Sequence, residues 1–254
     1  MSTLPRAALG ALLACSAFFL TSACATEIKV MASVAPQHAY EELQPLFEKQ
    51  TGHKVKTVWL PTVEMMQRLE EGEAADAVLI ASTNMEKLTK LGITVAGSRV
   101  DVVKSGIGVA IRKGAPRPDI STTAKLKEAL LAAKSVSYST GPSGVYMVSL
   151  FEKMGLTEAL KPKLKVIQGT PVGVLVARGD VEIGFQQVPE IVPVPGIEYL
   201  GPLPAEIQYV TLFPMMVHAK ADAEHAAAAK AWMEFLHTPA AAVVMRKHGL
   251  EPGP

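Results

Sequence analysis

Residues Ser137–Leu156 read SYSTGPSGVYMVSLFEKMGL, and this stretch decides the class of the fold. Val136–Ser139 has the apolar and hydroxyl composition of a short strand. Thr140-Gly141-Pro142 interrupts it, and Ser143–Met154 then carries apolar residues at helical spacing until Gly155 ends the run. A strand that turns through glycine and proline into a helix is half of a strand–helix–strand unit. Repeated, such units build a parallel sheet covered by helices.

The same rhythm extends in both directions. Upstream, strands are predicted over Glu27–Ala32, Lys54–Leu60, Ala77–Ile80 and Ser105–Ile111. Helices are predicted between them from Ala39 to Gly52, around Val63, Met66 and Leu69, around Met85, Leu88 and Leu91, and from Ser121 to Ala133. Downstream, Leu164–Ile167 and Val181–Gln186 read as strands and Val172–Arg178 as a short helix. The proline-rich run Pro189–Pro204 holds one short strand, Ile197–Leu200. Ile207–Val217 reads as a long apolar strand, and helices over Asp222–His237 and Pro239–His248 finish the chain. Methionines 65, 66, 85 and 147 fall on helical stripes and are assigned to the core.

Composition narrows the function. The chain has 254 residues, 49% hydrophobic, with 25 Lys+Arg against 24 Asp+Glu and a net charge of +1. That is enough apolar material for a sizeable core, with no global charge to draw the protein onto nucleic acid. Both cysteines, Cys15 and Cys24, lie in the first 24 residues. Arg6, an apolar run from Ala7 to Leu20 and the small residues Ala23-Cys24-Ala25 form a secretory leader cut after Ala25; a lipoprotein cut before Cys24 is the alternative. The exported chain then has no cysteine, which removes disulfides, a thiol nucleophile and a thiolate metal site. There is no GxGxxG, P-loop or GxSxG motif, and the six histidines lack paired metal-ligand spacing.

Ligands of open α/β sheets gather beyond the carboxyl ends of strands, where helix starts present free N–H groups and a positive dipole end. Four strand-to-helix junctions have a suitable composition: Ala32–His38 (ASVAPQH), Leu60–Val63 (LPTV), Thr140–Tyr146 (TGPSGVY) and Gly169–Gly173 (GTPVG). Each combines a hydroxyl with proline or glycine. The competing reading is that the hydroxyls are ordinary helix caps. Gln186 and Gln187 end a strand beside them. His38 falls at the first junction, and Glu190, just after the strand end, reads either as a carboxylate that reaches a pocket or, the preferred reading, as an exposed loop carboxylate.

Several segments together resemble one family. KVMASVAPQHAYEELQPLFEKQTG, RLEEGEAADAVLIAS, SGIGVAIRKGAP, SYSTGPSGVYMVSLFEKMGL and PVGVLVARGDVEIGFQQ are similar to periplasmic molybdate-binding-protein-like solute-binding proteins, from about Glu27 to Gly249. The resemblance implies a two-lobed type II periplasmic binding fold, each lobe a mainly parallel sheet flanked by helices, with the ligand in the cleft between them. It puts chain crossings near Ser105 and Ile207. Residues 26–106 with 207–254 then form the first lobe, residues 107–206 the second, and residues 1–25 the leader. Carried over residue by residue, the ligand positions are Ser33 and Ala35 at the first junction, Thr62 at the second, Ser143 and Gly144 at the third, Pro171 and Val172 at the fourth, and Gln187. Ala35 stands at the family's serine and Gln187 at its tyrosine.

The GFQQ ending and PVGVLVARG resemble a branch that includes periplasmic aconitate isomerases, which move an allylic proton without a cofactor. Two functions of different class follow. One is capture of a small oxyanion or a di- or tricarboxylate for delivery to an ABC-type membrane permease. The other is aconitate isomerisation, with His38 as the acid/base. Both imply a periplasmic monomer that uses no metal or cofactor and binds no nucleic acid.

Overall fold

The computed structural model describes residues 25–254; the predicted leader and Cys24 lie outside the described residues, apart from Ala25. The first part of the chain runs β1 (Glu27–Ser33), α1 (Gln37–Thr51), β2 (Lys54–Leu60), α2 (Thr62–Glu70), β3 (Ala77–Leu79), α3 (Ser82–Lys90) and β4 (Val100–Ser105). After Gly106 come β5 (Ile107–Arg112), α4 (Thr123–Ala132), β6 (Val136–Ser139), α5 (Pro142–Lys153), α6 (Thr157–Leu160), β7 (Leu164–Ile167), α7 (Val172–Arg178), β8 (Ile183–Gln187), α8 (Val188–Ile191) and β9 (Ile197–Pro202). The chain ends with β10 (Thr211–Val217), α9 (Ala223–Leu236), α10 (Pro239–Lys247) and β11 (Glu251–Pro252).

Two sheets result, in the orders β11-β4-β10-β3-β1-β2 and β7-β6-β8-β5-β9. In the first, β1, β2 and β3 are parallel, and β10 lies antiparallel between β3 and β4. In the second, β6, β7 and β8 are parallel and β5 is antiparallel to both β8 and β9. The strands that oppose the common direction within each sheet are therefore led by β5 and β10, which carry the chain from one sheet to the other. Each remaining strand-to-helix turn is left at the carboxyl end of its sheet.

Each sheet has its own core. On one face of the first sheet, α1, α9 and α10 bring Tyr40, Phe47 and Trp232 together, with Phe47 and Trp232 ring centroids 5.0 Å apart. Its other face packs Met31, Met65, Met85 and Met216 under α2 and α3. Met65, Met85 and Met147 are fully buried, as their helical stripes predict, whereas Met66 is partly exposed. In the second sheet, Phe185, Phe151 and Tyr138 pack beneath α5.

Three boundaries differ from the sequence reading. The strand predicted over Ser105–Ile111 is β5, beginning at Ile107, and the strand before it, β4, which Gly106 separates from it and which lies in the other sheet, is not predicted. Asp101 and Lys104 obscure β4 in the sequence; they are ion-paired to Arg99 and Glu251 along the strand. The strand predicted from Ile207 begins at Thr211, since Ala205–Ile207 forms a 3-10 turn. The proline-rich run contains the short helix α8, which accepts Pro189 in its first turn.

Gly144 has a packing explanation. A Cβ built there would lie 1.6 Å from the Ser139 carbonyl oxygen, at the seam where α5 meets the end of β6. Gly144→Ala is expected to destabilise the chain by roughly 2–4 kcal/mol, because strand end or helix start must move. Gly141→Ala, whose nearest neighbour is the Ser139 hydroxyl at 3.4 Å, is expected to cost under about 1 kcal/mol. Urea denaturation of both variants checks the contrast.

Candidate functional site

A cavity of about 440 Å³ opens between the carboxyl ends of the two sheets. All four predicted junctions reach it, through Ser33 and Ala35, Pro61 and Thr62, Thr140 and Gly141, and Thr170 and Pro171. Gln186, Gln187, Glu190 and the Pro193–Pro195 segment complete the wall. Among the described residues no lysine or arginine lines it, and His38 is the one basic side chain at the wall.

The principal helix starts at this cavity lack side-chain caps. The cap positions of α1, α2, α5 and α7 are Pro36, Pro61, Gly141 and Pro171, and none supplies a side-chain cap bond. Three helices that start away from the cavity are capped by side chains: Thr122 on α4, Asp222 on α9 and Thr238 on α10. The hydroxyls of the junctions are thus not serving as helix caps. The α3 start, with Ala81 at its cap, is likewise uncapped and borders an adjoining groove with Thr62 and Thr140–Pro142. The helix dipole adds positive potential there, and first-turn N–H groups not otherwise bonded can still donate; those of Gln37 and Val172 already donate, to the Val34 carbonyl and to Gln186 Oε1.

The residues singled out in the sequence divide into two sets. Ser33, Ala35, His38, Thr62, Pro171 and Gln187 line the cavity. Ser143, Gly144 and Val172 sit one layer behind it, buried in the first turns of α5 and α7. The buried Ser143 hydroxyl has no partner among the described residues. The Val172 N–H is used internally, donating to Gln186 Oε1 at 2.8 Å. His38 is half exposed, with Nδ1 3.8 Å from Glu41 on the same helix face.

Gln187 is 1% exposed and spends its amide on the crossing segments. Oriented to satisfy its neighbours, its nitrogen donates toward Ser105 Oγ at 3.0 Å and the Gly106 carbonyl at 3.2 Å. Its oxygen accepts from Thr211 Oγ1 at 2.8 Å. Gln208 clamps the same crossing from the other side, accepting from the Ile107 N–H at 2.9 Å and donating to its carbonyl at 3.0 Å.

Of the two sequence readings of Glu190, the structure bears out the pocket one and corrects the preferred one, an exposed loop carboxylate. It projects from α8, whose Pro189 and Ile191 are buried, and it lines the cavity. Gln186 Nε2 donates to its Oε1 at 2.6 Å, linking Glu190 through Gln186 to the start of α7. Burial raises the Glu190 carboxyl to about 7, opposed by that hydrogen bond. The only hint in the sequence was its position three residues beyond the GFQQ strand.

A raised carboxyl stabilises the folded chain only while protonated. That contribution is complete below the ordinary glutamate range and disappears as pH rises through about 7. Glu190→Gln, which keeps an oxygen for the Gln186 bond, is therefore expected to match wild-type stability near pH 4.5. At pH 8 it is expected to exceed it by about 3 kcal/mol. Denaturation midpoints across that range check this.

Comparison with known proteins agrees with the geometry. Residues 28–251 match the family described as bacterial extracellular solute-binding protein. The chain is 37% identical to an aconitate isomerase from a Pseudomonas species, over 99% of this chain and 97% of the relative. It is 33% identical to the molybdate-binding protein ModA of Azotobacter vinelandii, over 72% of this chain and 71% of that one. Among solved structures, the sulfate-binding protein SubI from Mycobacterium tuberculosis H37Rv superposes with a TM-score of 0.72 at 16% identity, covering 89% of this chain and 87% of that one. With uncapped helix starts of two sheets facing one cavity, this chain belongs to the bacterial extracellular solute-binding protein family, on its two-lobed type II fold.

Proposed function

We propose that the cavity captures a small carboxylate anion, a di- or tricarboxylate, for delivery to a membrane permease of the ABC type. One observation carries this reading: the starts of α1, α2, α5 and α7, none capped by the side chain of its own cap residue, meet at a cavity that no lysine or arginine lines among the described residues. Neutral donors and helix dipoles are the means by which such a site holds an anion. The volume, about 440 Å³, and apolar wall residues such as Val34, Ile167, Val174 and Phe213 suit a ligand with a carbon skeleton better than a compact inorganic oxyanion.

In this reading residues 26–106 with 207–254 close against residues 107–206, hinged at the crossings that Gln187 and Gln208 bridge. The ligand contacts are assigned to Ser33, Thr62, Thr140, Thr170 and the backbone beside Ala35, Gly141 and Pro171. The protein works as an exported periplasmic monomer, its leader removed after Ala25.

A second reading is favoured by two specific observations, the full-length 37% identity to an aconitate isomerase and the presence of Glu190 in the cavity. A carboxyl that titrates near neutrality supplies both a base and an acid, which an allylic proton shift requires. In that reading Glu190 takes the acid/base role first assigned to His38, and the helix starts stabilise the developing dienolate.

Isothermal titration with dicarboxylates and tricarboxylates tests capture. Thr62→Val is expected to weaken the tightest of them by about 0.5–1.5 kcal/mol without changing thermal stability. Incubation with trans-aconitate, followed by chromatography for cis-aconitate, decides the second reading. Interconversion abolished by Glu190→Gln but retained by His38→Ala supports it. Tight binding without interconversion leaves capture alone.

A further inference from the structure

The cavity combines two features that conflict unless a proton is present. Its wall has neither lysine nor arginine, and it contains a carboxyl group. An ionised Glu190 beside a bound carboxylate would place two like charges in one low-dielectric space, with no lysine or arginine among the described residues at the wall to offset them. A protonated Glu190 removes the repulsion and adds a donor.

The residue has one carboxyl oxygen engaged by a donor, which by itself favours the ionised form, and the other oxygen open to a proton. Gln186 is fixed at one end by the Val172 N–H, so its amide nitrogen is obliged to donate, and it donates to Glu190 Oε1. Oε2 has no partner among the described residues and is free to carry a proton and donate it to a ligand oxygen. Pro189 and Ile191, both buried, hold α8 and hence the carboxyl at the wall.

Resting on the carboxylate-capture reading, we propose that Glu190 is a proton-binding site of the cleft, and that the protein takes up its carboxylate ligand together with one proton held between Glu190 and the ligand. No covalent bond changes; one proton moves from solvent to the site as the anion enters.

The surroundings leave few other sources for such a proton. His38, on α1, is the other titratable residue at the cavity wall. On the elements packed around α8, Arg112 lies at the outer end of β5, and Arg178 at the end of α7 is ion-paired to Asp180. Lys247 and His248, at the end of α10, are both paired to Glu42. Tyr199 on β9 is held above the ordinary tyrosine range by burial and stays neutral near pH 7. The Glu190 carboxyl is already raised to about 7 by burial alone, so a bound anion has only to raise it further.

The test uses propane-1,2,3-tricarboxylate, which lacks the allylic proton of aconitate and binds without reacting. Titration calorimetry at pH 8 in two buffers of different ionisation enthalpy counts the protons taken up. The expected count approaches one at pH 8 and falls toward zero at pH 6, with affinity dropping up to about tenfold between pH 7 and 8.5 beyond any change due to the ligand's own titration. Glu190→Gln is expected to bind with no uptake at pH 8, whereas His38→Gln retains it. Wild-type binding with equal heats in both buffers would overturn the proposal while leaving anion capture standing. So would uptake lost in His38→Gln, a result that needs no Glu190 variant. No binding at any pH would instead remove the tricarboxylate reading on which the proposal rests.

Discussion

The cavity between the sheets is lined by no lysine or arginine among the described residues, so in the proposed reading an anion is held there by dipoles and neutral donors, and that constraint organises the rest of the account. The positive ends available are helix starts. Each start faces the site only if its strand ends there, so the parallel strands of both sheets must present their carboxyl ends to one gap. Side-chain caps would compete for the same N–H groups. The cleft helices instead begin at Pro36, Pro61, Gly141 and Pro171, while Thr122, Asp222 and Thr238 cap helices that start elsewhere.

Holding two sheets in that mutual orientation falls to the crossing segments. The chain leaves the first sheet at Ser105 and starts the second at Ile107, and it returns at Thr211. Both crossing strands, β5 and β10, run antiparallel to the neighbours they separate. Gln187 reaches Ser105, Gly106 and Thr211 together, and Gln208 holds Ile107 by both backbone groups. Gln187 stands where the related molybdate-binding proteins are expected to have a ligand tyrosine. Here its amide bonds the crossing while the residue lines the cavity beside Gln186 and Glu190.

Much of this was legible in the sequence because it rests on local chemistry. The strand–turn–helix rhythm, the four junctions and the buried methionine stripes all follow from periodicity and from where glycine and proline fall. What the sequence hid depends on tertiary placement. SGIGVAI is one unbroken apolar run, and only the pairing of Ser105 with Thr211 and of Ile107 with Gln187 divides it between two sheets. The junction strings likewise mark where a site forms without marking which face of the first turn meets it. Thr62 and Pro171 therefore reach the cavity, while Ser143 and Val172 fall one layer behind. Glu190 was hidden most completely. Its environment is made by Gln186, Val172 and the prolines at 193 and 195, which a proline-rich stretch disguises as loop.

The central claim is that the ligand sits between the two sheets, on uncapped helix starts. A crystal structure of the chain grown with propane-1,2,3-tricarboxylate tests it most directly. The account predicts the ligand's carboxylates within hydrogen-bond distance of Thr62 and of the first-turn N–H groups of at least one helix from each sheet, with one oxygen against Glu190. A ligand bound wholly on one sheet, or held by a lysine or arginine outside this cavity, would contradict it.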